Sequence, residues 1–284
     1  MVFGRIKTGF GMARRSGRVL RDHPRLLLFP LIGGLSGVPF LATLFGGVFV
    51  TGVFERSNAA LYAVLFAAYL VETFVASFFS AALVSETRRV FDGDEASLRR
   101  GVRSAWDHRL PLLAWSVIAA VIGVVIQVIE SQDNAVARII ASLFAVAWGV
   151  MTYFVVPVIV FRDPSVRGMF EESARTFKDT WGESIGAMGA INLVTFLLAL
   201  GGAAVAVGVF FLLPAVGGAR LILTAVVGGS AVLLGFLIGK TLTGVAKTAL
   251  YVYATESESP EYFEDMEFAG MGGGNTGGGI RGRF

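Results

Sequence analysis

One unit recurs three times along this chain, and it constrains the fold more than any other feature. A short amphipathic stretch with basic residues, a small residue and an Asp runs straight into two long apolar segments. The first stretch is Arg14-Arg15-Ser16-Gly17-Arg18-Val19-Leu20-Arg21-Asp22-His23. The second is Arg99-Arg100-Gly101-Val102-Arg103-Ser104-Ala105-Trp106-Asp107-His108, and the third is Glu171-Glu172-Ser173-Ala174-Arg175-Thr176-Phe177-Lys178-Asp179-Thr180. Aligned on Asp22, Asp107 and Asp179, the offsets are 85 and 72 residues. Internal repetition of this kind sets the architecture before any local reading does.

The apolar segments decide the class. A helix that crosses a bilayer needs about 20 mostly apolar residues. Six stretches qualify: 26–53, 58–85, 110–129, 136–161, 185–212 and 219–249. Only 16% of the chain is charged, against about 25% in soluble domains, and the charge deficit falls inside these stretches. Lipid offers no partners for free backbone N–H and C=O groups, so the spans must be helical. Short polar breaks at 55–58, 130–134 and 214–218 make each pair a tight hairpin. The fold expected is all-α: a polytopic bundle of six spans in three hairpins, with amphipathic elbow helices between them. It occupies residues 1–254, followed at 255–284 by an acidic, then Gly-rich tail. Pro30, Pro39 and Pro157 are expected to kink their spans.

Orientation follows from the basic residues. The segment before span one and the two long loops carry 17 Lys or Arg, and the three hairpin turns with the span starts that follow them carry 3: Arg56, Arg138 and Arg220. The positive-inside rule then places both termini and the elbows in the cytoplasm of a multi-pass cell-membrane protein. Arg18, Arg21, Arg99, Arg100, Arg103 and Arg175 lie on the elbows. Basic amphipathic helices sit at the headgroup boundary and attract anionic lipids. The plainer account is that the elbows pack on the inner rim of the bundle.

Polar groups within the spans are few. Glu72 interrupts the second span, and Lys240 and Lys247 lie seven residues apart on the sixth. Intramembrane ionisable groups are costly and often functional. Two readings stay open. Glu72 pairs with Lys240 and fixes helix register, or it is a carboxylate in a conduction path. Lys247 is placed to snorkel to the interface. The pairs Gly33/Gly37, Gly182/Gly186 and Gly235/Gly239 allow close helix approach.

Catalytic signals are weak. The chain has no cysteine and two histidines. Asp22-His23 and Asp107-His108 suggest a metal or acid–base pair, but the third repeat has Thr180 in place of His. Zinc sites take three or four protein ligands. The Asp of each unit is expected instead to cap the start of the following span. No catalytic residue, metal, cofactor or nucleic-acid partner is expected. The acidic tail could dock on the basic elbows, within the chain or in a neighbouring copy.

The stretch Phe154-Val155-Val156-Pro157-Val158-Ile159-Val160-Phe161, with Ser173 through Trp181-Gly182-Glu183, resembles a signature of an uncharacterised family of six-span, largely archaeal membrane proteins. Ala249-Leu250-Tyr251-Val252-Tyr253-Ala254-Thr255, with Pro260 and Phe263, is similar to that family's ending. More loosely, the elbow-plus-hairpin unit is similar to the membrane domain of some glycerophosphodiester phosphodiesterases. Their catalytic barrel has no counterpart here, so the resemblance implies no activity.

Three functional classes follow. A non-enzymatic module would self-assemble as a homo-oligomer or organise lipids and partners. A channel or transporter would use Glu72 and Lys240 in its path. An intramembrane enzyme would need a nucleophile, acid–base pair or metal set that the residues do not supply. The first fits best.

Overall fold

A computed structural model gives the fold and describes residues 2–51, 58–132, 134–212, 219–256 and 259–264. The expected turns at 55–58 and 214–218 lie largely or wholly outside the described residues, as do the Gly-rich tail and the packing of Gly182 and Gly186. The described chain is all-α. Its helices are α1 (Val2–Asp22), α2 (Leu28–Thr51), α3 (Asn58–Phe91), α4 (Leu98–Asp107), α5 (Arg109–Glu130), α6 (Ala135–Met151), α7 (Val155–Arg162), α8 (Val166–Asp179), α9 (Trp181–Leu212) and α10 (Ala219–Glu256). Short 3-10 turns cover Pro24–Leu27 and Glu261–Phe263. Among the described residues six segments are long and apolar enough to span a membrane: Pro24–Gly47, Ala59–Phe91, Arg109–Glu130, Ala135–Arg162, Met188–Leu212 and Leu221–Glu256. They match the six expected spans.

The elbows are α1, α4 and α8, and all three gather at one end of the bundle. Each packs mainly on the hairpin that precedes it in the chain: α4 on α3, and α8 on α6 and α7. Elbow α1 has no preceding hairpin and takes the last one, α9 and α10. The three units therefore close into a ring.

The repeat alignment explains the contact. Six residues before each Asp stands a small residue: Ser16, Gly101 and Ser173. All three are buried. A side chain on Gly101 would meet the ring of Phe29 at 2.7 Å and Glu86 Cγ at 2.9 Å. Ser173 Oγ accepts from the Phe154 N–H at 3.0 Å. Small size lets the elbow backbone lie flat on the bundle. The stripe around it is apolar: Met12, Val19 and Leu20 in α1, Ala105 in α4, Met169 and Phe177 in α8. Trp106 and Val166, apolar residues of the same elbows, are 59% and 48% exposed and face outwards.

Two local expectations are corrected. The fourth span is broken at Thr152–Phe154 into α6 and α7. Pro157 then falls in the first turn of α7, where its missing N–H leaves no helix bond unmade. Pro39, by contrast, sits within an unbroken α2. The Asp residues do not cap the following spans. Asp22, Asp107 and Asp179 end the elbow helices instead. His23 and His108 occupy the positions before the next helices and make no side-chain cap there. His23 precedes Pro24, and the residue before a proline is steered away from helix. That ends α1. Between α7 and α8, where the chain enters the third elbow, Asp163 adopts the left-handed conformation (φ 45°), which Asp tolerates better than most residues. Ser165 then caps α8, its Oγ accepting from the Gly168 N–H.

The glycine pairs work inside the molecule. Gly33 lies against Phe79 of α3. Gly235 and Gly239 bring α10 onto Leu198 and Thr195 of α9. A side chain on Gly202 would stand 2.6 Å from the Val232 backbone nitrogen, and Gly228 touches Ala206. Hairpin α9–α10 is thus joined backbone to backbone, the packing small residues permit in lipid.

The start of the acidic tail returns to the elbows. Phe263 is fully buried and meets Phe91 edge-on at 5.8 Å. The Tyr262 hydroxyl lies 3.3 Å from His23 Nε2. Burial pushes this hydroxyl's pKa up, and the charges of Asp22 and Glu261 push it the same way. Packed structure therefore continues to Phe263, past residue 254.

Candidate functional site

Polar chemistry concentrates at the elbow end, where the second helix of each hairpin terminates. These helices are α3, α7 and α10. Arg88 comes from α3, Arg162 from α7, and Tyr251, Thr255 and Glu256 from α10. With Phe161 and Val252 they line a cavity of about 350 Å³. Arg88 Nη1 donates to Glu256 Oε1 at 2.6 Å, and its Nε donates to Asp92 at 3.3 Å. Arg162 pairs with Glu172 of α8 at 3.4 Å. Thr255 Oγ1 donates to the Tyr251 carbonyl at 2.9 Å. The Tyr251 ring stacks on Phe161 at 5.5 Å. The Tyr251 residue is 2% exposed, and its hydroxyl makes no well-formed hydrogen bond.

Two residues before Arg88 on the same helix lies a buried carboxylate. Glu86 of α3 is fully buried. Its Oε2 accepts from the Ser97 N–H at 2.7 Å and from Arg100 at 3.5 Å. Arg89 stands 3.7 Å from its Oε1. Ser97 is the residue before α4, and Glu86 satisfies its N–H from another helix, while the Ser97 side chain makes no cap. Arg25 reaches Glu95 in the same loop at 3.3 Å.

The residues singled out from sequence fall in separate places. Glu72 lies inside the span Ala59–Phe91, and Lys240 and Lys247 inside Leu221–Glu256. They do not meet. Glu72 lies against Gly37 of α2, so close that a side chain there would stand 2.8 Å from Oε1. That oxygen is buried without a hydrogen-bond partner. Lys240 is exposed, with its Nζ over the Phe236 ring at 5.2 Å. Lys247 is half-buried and lies over Tyr153 at 4.3 Å, a cation–π contact with the broken fourth span. The expected Glu72–Lys240 pair is therefore absent: each turns to a different neighbour.

The elbow arginines divide into two groups. Arg100 is held by Glu86 and by the Glu95 carbonyl. Arg18, Arg21, Arg99, Arg103 and Arg175 are exposed and form no ion pair among the described residues. The two histidines lie on different elbows and are engaged locally. His108 Nδ1 contacts the Ser104 carbonyl at 2.7 Å, and His23 meets Tyr262. In the sequence Arg88 and Arg162 read only as basic loop residues that set orientation, and Glu256 as the start of the acidic tail. Glu86 carried a usable signal, being an acidic residue two places before an Arg pair at the end of an apolar span.

A family model matches residues 59–261, from the start of α3 to the return of the tail. The chain belongs to DUF6159, a family of unknown function. The DUF6159 match includes every residue of the cavity and, apart from Phe263, both sequence signatures noted above. It leaves out α1 and α2, the first elbow and the first span. No curated protein and no solved structure matches the chain. What stands is a multi-span membrane protein of the DUF6159 family with its polar groups gathered at the elbow end.

Proposed function

We propose that this protein is a non-enzymatic membrane module that organises anionic lipid at the inner membrane surface. One observation carries the reading: Arg18, Arg21, Arg99, Arg103 and Arg175 are exposed and without ion pairs among the described residues, and they belong to all three elbows. In this reading the elbow end faces the cytoplasm, following the distribution of basic loops. Trp106, 59% exposed with Arg109 stacked 5.4 Å from its ring centre, suits the headgroup layer. Each surface arginine near an anionic leaflet contributes about 1 kcal/mol. Five such residues, spread around a ring, would gather anionic lipid beneath the bundle.

Self-association is the part of this reading with least support. The glycine faces that would join copies are used within the monomer at Gly33, Gly202, Gly235 and Gly239. A path built from Glu72 and Lys240 also loses support, because the two do not meet.

The experiment compares the protein with a variant carrying Gln at those five arginines, both in nanodiscs. Rising phosphatidylglycerol in phosphatidylcholine should raise the melting temperature of the first and not of the second. Salt should abolish the difference. Equal behaviour of the two would remove the proposal. Orientation is tested separately, with Ser131→Cys labelling from outside cells and Ser97→Cys protected.

A further inference from the structure

We propose that the cavity between Arg88, Arg162 and Tyr251 is a phosphate-monoester site, held closed by the carboxylate of Glu256. It lies apart from the exposed elbow arginines, none of which lines it.

The donor inventory comes first. Arginine has five N–H donors in a planar fork. Arg88 spends one on Glu256 and one on Asp92, and Arg162 spends one on Glu172. The remaining N–H groups and the Tyr251 hydroxyl make an excess of donors over acceptors around one cavity. The Tyr251 hydroxyl faces the Arg162 guanidinium at the wall of this space without a well-formed hydrogen bond; arginine only donates, so the hydroxyl proton has no acceptor there, which costs free energy. An incoming oxyanion would satisfy it.

The charges then decide how an anion enters. Arg88 and Arg162 already face Asp92, Glu172 and Glu256. A further anion added to this set would be repelled. One that replaces Glu256 would not. Glu256 is placed for replacement: it is the last residue of α10, and its side chain is 44% exposed. Turning outwards takes it into water without disturbing the helix. An oxyanion thus already occupies the site, supplied by the chain itself.

Geometry favours phosphate over carboxylate. The donors arrive from three helices, one from each hairpin, and so from several directions. A tetrahedral group can use them together, and a planar one cannot. Arginine is the usual partner for such groups. The cavity also has an apolar wall, the stacked Phe161–Tyr251 pair and Val252. That wall would take the carbon part of an ester. The ester could be a soluble metabolite or a lipid headgroup presented at the membrane surface, and the chemistry of recognition is the same.

The test uses the full-length protein. Phenyl phosphate serves as the soluble probe, followed by calorimetry in detergent. Phosphatidic acid in phosphatidylcholine nanodiscs serves as the lipid probe, followed by native mass spectrometry. Glu256→Gln should tighten binding of at least one probe by tenfold or more. Adding Arg162→Gln or Tyr251→Phe to it should weaken that binding by tenfold or more, with elution volume and melting temperature unchanged. Binding of phenyl phosphate supports a soluble ester, and binding of phosphatidic acid alone supports a headgroup. No gain with Glu256→Gln for either probe would overturn the proposal. So would a gain that survives Arg162→Gln, or one lost when the five exposed elbow arginines become Gln. The last outcome would assign the binding to the elbow surface instead.

Discussion

At the elbow end Phe29, Phe154, Met169 and Phe263 are fully buried, whereas at the opposite end Phe49 and Leu212 are each 85% exposed. The same chain uses two solvents. Near the elbows the side chains supply a protein core, with aromatic contacts running from Trp115 and Trp148 to Phe170, and from Tyr153 and Phe154 to Phe177 and Tyr251. In the far half lipid is expected to cover the apolar surface, so burial cannot be what holds the helices together. Close backbone approach does so at Gly202, Gly228 and Gly235. Large and polar residues should therefore matter alongside small ones at the elbow end, and small residues alone in the far half.

The largest test lies in the far half. Gly202→Val places a side chain 2.6 Å from the Val232 nitrogen and 2.8 Å from the Ala231 carbonyl carbon. Backbone cannot step aside as a flexible side chain would. The expected loss is about 3 kcal/mol, read from reversible unfolding in mixed detergent micelles. Cysteine cross-links between α9 and α10 should fail, while those between α4 and α3 persist. A silent Gly202→Val would mean that lipid alone holds the far hairpin.

At the elbow end the next effect belongs to Glu86→Ala. It strands the Ser97 N–H and removes the carboxylate that Arg100 and Arg89 face. Both arginines are partly exposed, so water limits the loss. About 2–3 kcal/mol is expected, with faster amide exchange confined to α4. Ser173→Ala is a smaller version of the same test. It leaves the Phe154 N–H without its acceptor, for about 1 kcal/mol, and should loosen the α6–α7 break alone. Exchange spreading from either variant into α9 and α10 would erase the distinction between the two ends.

The two ends also differ in how far the sequence reveals them. Apolar length specifies a spanning helix almost alone, and all six spans were legible. So were the elbows, because Ser16, Gly101 and Ser173 recur at one distance from Asp22, Asp107 and Asp179. The ring closure was not. No periodicity says that α1 packs on the last hairpin rather than the first. The break before Pro157 was hidden, since the acceptor of the Phe154 N–H is Ser173, nineteen residues on. The cavity was hidden for a related reason. Arg88, Arg162 and Glu256 come from three hairpins, and in a sequence each reads as a charge at a helix end. The Glu72–Lys240 pair failed on azimuth. Both lie within spans, but Glu72 turns to α2 and Lys240 to Phe236 on its own helix.

That azimuth supports the smallest and sharpest prediction. Glu72 and Lys240 contact different neighbours, so their effects on stability should add. The coupling in a double-mutant cycle with Glu72→Gln and Lys240→Gln should lie below about 0.5 kcal/mol. A true buried pair would lose about 3–5 kcal/mol when either partner is removed alone. Here the single changes should be mild. Glu72 keeps one buried oxygen without a partner, and such a group costs stability where it stands. Gln keeps the shape that rests on Gly37 and removes the charge, so Glu72→Gln should be neutral or stabilising. Lys240→Gln gives up only a cation–π contact with Phe236, about 0.5–1 kcal/mol at an exposed site. A coupling above 2 kcal/mol would show that the two residues meet in the membrane after all, and that the far half is held by a buried charge pair as well as by glycine contacts.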